Sequence, residues 1–152
     1  MTTGELIPWC GGSIISTKHV LTAAHCTKDK FAPSIEILLG AHDVTHTNTD
    51  RRAVYSITDH PRFDSTEKIF DVSILTMESP ITFSSVASPI CLPSSKVSLV
   101  PEYSAYSGEE ATTTGWGDTS PNGSPAIRLQ EVNVTVVSNK ACRSVWGSQI
   151  KR

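Results

Sequence analysis

No apolar run in this chain approaches the roughly 18 residues that a membrane-spanning helix requires, and no cluster of like charge marks a tail or a patch. A net charge of −2 and a pI near 6.2 supply no basic surface for a polyanion, so nucleic-acid binding is excluded as an expectation. The opening residues Met1-Thr2-Thr3-Gly4-Glu5 lack the basic and apolar regions of a signal peptide. The 152 residues show no internal repeat and no long stretch of apolar residues at a 3.6-residue period. Long amphipathic helices are therefore not expected.

What the chain does contain is enough apolar residue, 38%, for an ordinary globular core, with 18% charged residues. Short β-branched runs separated by turn residues predict an all-β protein. The expected strands are 12–16, 19–22, 35–39, 52–58, 72–76, 111–115 and 129–137. In the last, Val132, Val134 and Val136 alternate with Glu131, Asn133 and Thr135, the period of a strand with one buried face. Turns are expected at Pro33-Ser34, His60-Pro61, Ser79-Pro80 and Pro121-Asn122-Gly123. The serine-rich stretch 94–108 reads as a surface linker and places a domain boundary.

Two segments carry chemistry: Leu21-Thr22-Ala23-Ala24-His25-Cys26 and Asp71-Val72-Ser73-Ile74-Leu75. A hydroxyl is a poor nucleophile near neutral pH and needs a base to take its proton. Histidine suits that task, and a carboxylate on its other ring nitrogen fixes the tautomer and stabilises the imidazolium that forms. Taken alone, His25 reads as a packed core histidine and Asp71 as a turn or N-cap residue. Their 46-residue offset points instead to a base and its orienter, since the chymotrypsin arrangement separates that pair by roughly 45 residues.

The chain resembles the trypsin/chymotrypsin-like serine proteases, through motifs in the family's order over nearly its whole length. Besides the His25 and Asp71 segments these are Cys10-Gly11-Gly12-Ser13-Ile14-Ile15, Pro89-Ile90-Cys91-Leu92-Pro93, Thr114-Gly115-Trp116-Gly117 and the stretch from Leu129 to Cys142, similar to a later strand and the turn after it. The resemblance implies a double β-barrel. Residues 1–88 would form most of the first barrel, 89–108 the connection, and 109–152 an incomplete second barrel. It also implies serine-type endopeptidase chemistry on polypeptide substrates, blocked by protease inhibitors, in an extracellular setting and without a cofactor.

By the same spacing the nucleophilic serine falls due about 93 residues after Asp71, on the order of 12 beyond Arg152. None of Ser94, Ser95, Ser107 or Ser124 sits in Gly-Asp-Ser-Gly-Gly, whose backbone N–H groups form the family's oxyanion hole. The 152 residues alone are therefore expected to be inactive. The activation sequence of the family is also absent, and the residue that selects the substrate side chain falls outside the chain. Two other readings stand beside the protease. One is a non-catalytic, protease-like chain that binds or regulates a partner; the other is a histidine-bearing binding module unrelated to proteolysis.

Four cysteines allow three pairings. The resemblance implies a Cys10–Cys26 bridge, with Cys91 pairing to an N-terminal pro-segment and Cys142 to a more C-terminal cysteine, while a Cys91–Cys142 bridge stays open. His42 and His46 have i, i+4 spacing but no third ligand in view, so no metal is expected there. The same loop holds calcium in many trypsins, which need hard oxygen ligands there, yet Ala41 stands where such trypsins carry an acidic residue and Arg51-Arg52 stands near the other end. Asn122-Gly123-Ser124 and Asn133-Val134-Thr135 match the glycosylation sequon, Asn122 in its turn being the better placed. Trp116, between two glycines, is expected to pack at a barrel end.

Overall fold

A computed structural model describes residues 8–45, 50–93 and 106–147. The chain divides into two compact units, Met1–Cys91 and Leu92–Arg152. His46, Ser94, Ser95 and residues 94–105 of the expected linker lie outside the described residues.

The first unit is a five-stranded antiparallel sheet curled into half a barrel, in the order β1-β2-β5-β4-β3. Its strands are β1 (Ser13–Ile14), β2 (His19–Thr22), β3 (Glu36–Leu39), β4 (Asp50–Asp59) and β5 (Ser73–Met77). One helical turn, α1 (Ala24–Thr27), follows β2, and a 3-10 turn spans Ala32–Ser34 with Pro33 inside it. Alternation selects the inward face: Ser73, Leu75 and Met77 of β5 are buried while Ile74 and Thr76 are less so. Val20, Ile35, Leu39, Val54, Leu75, Met77, Ile81 and Ala87 form the core.

Strand β4 is ten residues long and serves two neighbours. Its first half pairs with β3, Glu36 facing Ala53, and its second half with β5, Asp59 facing Ser73. The register shifts between Val54 and Ser56, a bulge that bends the strand and raises its local twist. Strand β5 also pairs with β2 along the whole of β2, from His19 opposite Thr76 to Thr22 opposite Ser73. That pairing brings the segment after β2 and the segment before β5 to the same end of the sheet.

The second unit contains β6 (Glu110–Gly115) paired antiparallel with β7 (Gln130–Thr135), then helix α2 (Asn139–Trp146). All seven expected strands are present, and the protein is mostly β. Two expectations need correcting. The stretch after β7 is a helix rather than a turn, and the valine face of β7 is not buried: Val132 is 57% exposed and Val134 43%. Two strands and one short helix supply no second apolar layer, and among the unit's described residues none is buried. Among the described residues no helix is long and apolar enough to cross a membrane.

Helix α2 is bounded by its caps. The Ser138 hydroxyl accepts from the Ala141 N–H at 3.2 Å, and Gly147, at φ 57°, ends it in a conformation other residues resist. Ser138→Ala is expected to cost about 1 kcal/mol of local stability, read as faster amide exchange at Ala141 and Cys142 with β6 and β7 unchanged.

Candidate active site

Helix α1 carries His25 into the end of the sheet where β5 begins. Ala24 is fully buried beneath it, and Cys26 is bonded to Cys10 with 6.3 Å between their Cα atoms. Thr27, also buried, donates its hydroxyl to Asp59 Oδ1 at 2.6 Å, tying the helix to the last residue of β4. Trp9 Nε1 donates to the Cys26 carbonyl at 3.3 Å. A single helical turn has almost no stability of its own; the disulfide, the Thr27 bond and the buried alanine hold this one.

Asp71 meets His25 twice. Its Oδ2 lies 2.6 Å from His25 Nδ1, and its Oδ1 accepts the His25 backbone N–H at 2.8 Å. No side chain caps α1 at Ala23, so the distant carboxylate satisfies a first-turn N–H that the helix itself cannot. An ionised carboxylate only accepts, which assigns the proton of this pair to Nδ1. Nε2 is the remaining ring nitrogen. It lies 3.5 Å from Cys26 Sγ, a disulfide sulfur with no proton to offer.

The His25 side chain is 48% exposed and that of Asp71 only 20%, so the imidazole is open to solvent while the carboxylate is sheltered. Burial pushes the Asp71 pKa up. The hydrogen bonds from the His25 ring and backbone N–H, with the nearby charges of His25 and Lys68, outweigh that effect and hold the carboxyl below its usual range.

The approach to Asp71 is unusual backbone. Lys68 and Phe70 both have φ 54°, a left-handed conformation that costs a bulky residue on the order of 1–3 kcal/mol. The Val72 N–H donates to the Phe70 carbonyl at 2.8 Å, closing a three-residue turn centred on Asp71.

Other residues singled out in the sequence lie elsewhere. Cys91 is exposed and Cys142 half-buried, and neither is bridged. Asn122 occupies its turn at φ 57°, and Asn133 sits within β7 with its Oδ1 accepting from Thr112 Oγ1 at 2.9 Å. Trp116 is half-buried. Arg52 pairs with Asp50 through two contacts of 2.7 and 2.8 Å, and Arg51 reaches Glu36 at 3.8 Å. Cys10, His25 and Cys26 cluster closely enough to suggest a metal site, but the two sulfurs are spent on each other and Nδ1 on Asp71. The Thr27–Asp59 tether left no mark in the sequence, because its partners are 32 residues apart and match no motif.

The family described as Trypsin matches residues 2–152. The serine proteinase stubble of Drosophila melanogaster is 34% identical over 141 residues, covering 90% of this chain and 17% of that protein. Venom serine protease 34 of Apis mellifera is 33% identical over 147 residues, covering 91% and 35%. The proclotting enzyme of Tachypleus tridentatus is 31% identical over 147 residues, covering 90% and 38%. The chain spans well under half the length of each. With a half-barrel sheet and a match across nearly every residue, the chain belongs to the trypsin family.

Proposed function

We propose that this chain carries the proton-transfer half of a serine-type endopeptidase site. His25 is the general base that takes the serine proton through Nε2 and returns it to the leaving amine; Asp71 orients the ring and stabilises the imidazolium. The observation that carries this reading is the double contact of Asp71 with His25, at 2.6 Å to Nδ1 and 2.8 Å to the backbone N–H. One carboxylate thereby sets both the tautomer and the position of the same residue.

The 152 residues contain no Gly-Asp-Ser-Gly-Gly, the motif that supplies the family's nucleophile and oxyanion hole. Residues 1–88 make most of the first barrel, 89–108 the connection and 109–152 the start of the second. The substrate is a polypeptide cleaved through an acyl-enzyme, and protease inhibitors are the natural competitors. The Cys10–Cys26 bridge suits an extracellular compartment. Exposed Cys91 is available to a pro-segment.

Purified residues 1–152 are expected to hydrolyse no peptide bond at an enzymatic rate and to take up no fluorophosphonate. Stoichiometric serine labelling that disappears in His25→Ala would show that the chain holds its own nucleophile. Sequencing the native transcript past the Arg152 codon supplies the other half of the test. An in-frame Gly-Asp-Ser-Gly-Gly on the order of 10 residues further on fits the protease, whereas a stop codon there turns the reading to a non-catalytic, protease-like binding or regulatory chain.

A further inference from the structure

The turn that presents Asp71 is gripped from outside. Phe70, the residue before the carboxylate, lays its ring on that of His60, with centroids 4.8 Å apart and planes within 8° of parallel. The Arg62 guanidinium carbon lies 4.2 Å from the centroid of the same phenyl ring. His60 is also tied to the residue after the carboxylate, its backbone N–H donating to the Val72 carbonyl at 2.9 Å. The imidazole of His60 is held in turn, because its Nδ1 accepts the Arg62 backbone N–H at 3.2 Å. Asp71 is thus bracketed on both sides by one residue 11 positions upstream.

Phe70 is 41% exposed and is not part of the core cluster. Filling the interior does not account for it. Its backbone stands in a region that a side chain of this size avoids, while its ring lies flat on His60 and under the Arg62 guanidinium. A ring free to leave would let φ relax, and the carboxylate one residue on would swing with it. The 2.6 Å contact at His25 has little tolerance for such movement.

We propose that His60 and Phe70, with Arg62 packed against the phenyl ring, are positioning residues that clamp the Asp71 turn and so fix its carboxylate on His25. The proposal rests on the assignment of His25 and Asp71 as a catalytic pair. It needs no substrate to test, because the tautomer of His25 reports the pair directly.

The experiment is nitrogen-15 NMR of the His25 ring in the 152-residue chain, at a pH where the ring is neutral, with the signal assigned by its loss in His25→Gln. The wild type is expected to show the Nδ1–H form, and Asp71→Asn to move the ring towards Nε2–H. Phe70→Ala and His60→Ala are expected to lower the ratio of Nδ1–H to Nε2–H forms about tenfold, the loss of one charge-assisted hydrogen bond. Phe70→Tyr, which keeps the stack, should restore it. Phe70→Gly accepts φ 54° without strain yet lacks the ring, and should behave as the alanine variant does. Amide signals of Leu75 and Met77 verify folding; should Phe70→Ala fail that check, the glycine and His60 variants carry the test. A tautomer that responds to Asp71→Asn but not to the Phe70 and His60 variants overturns the clamp and leaves the pair intact. A tautomer indifferent to Asp71→Asn overturns the pairing itself.

Discussion

Asn in place of Asp71 is expected to lower kcat for peptide hydrolysis on the order of 10⁴-fold, measured in a polypeptide that joins these residues to the family's Gly-Asp-Ser-Gly-Gly serine. The substitution keeps the shape and removes the charge. An amide can offer its own N–H to Nδ1, which drives the ring proton to Nε2, where the base function is needed. The expected loss corresponds to about 5.5 kcal/mol of transition-state stabilisation. A loss below about tenfold, 1.4 kcal/mol, would remove Asp71 from the role assigned to it.

The same substitution has a signature in stability. Burial raises the Asp71 pKa, but the hydrogen bonds and charge of His25, with Lys68, bring it below its unfolded value. A group depressed in this way stabilises the fold above its unfolded pKa, and that contribution is lost as the pH falls through its folded pKa. Thermal melts of the wild type on acidification should therefore fall more steeply than those of Asp71→Asn, which lacks the titration.

Replacing Cys10 and Cys26 together by serine is expected to lower stability by about 3 kcal/mol in the chain-entropy view of a loop this size. For a chain of this length that corresponds to a fall in Tm of roughly 6–12 °C, read by calorimetry. The effect should concentrate at α1, since Cys26 lies between His25 and the buried Thr27. A Tm within about 2 °C of the wild type would mean that the Thr27–Asp59 bond and Ala24 hold the helix unaided.

Much of this fold was legible because a strand declares itself locally. The run from His19 to Thr22 matches β2 from end to end, β5 is shifted by one residue, and β6 starts one residue earlier than expected. The His25–Asp71 contact was legible for another reason: the role proposed for the pair calls for those residue types, and their offset matches the chymotrypsin arrangement. The helices were not. One turn such as α1 exists only through contacts made by Cys10, Asp59 and Asp71, all distant in sequence. Helix α2 is too short for a 3.6-residue period to stand out. The valines of β7 misled because alternation reports a face that could be covered, not one that is. The stack of His60 on Phe70 had no sequence signal at all, since neither ring belongs to a motif.

The ladder joining β2 to β5 carries an evolutionary consequence. Thr22 stands opposite Ser73, and from that rung the chain has three residues to reach His25 and two to reach Asp71. A slip of a single rung moves one strand by about 3.3 Å along the other, more than the whole distance from Nδ1 to Oδ2. It would also turn Leu75 and Met77 outward. Insertions and deletions within β2 and β5 should thus be purged in descendants of this chain, while length changes collect in the connection between β3 and β4. The spacing of 46 between the two residues is then free to drift. The rung is not.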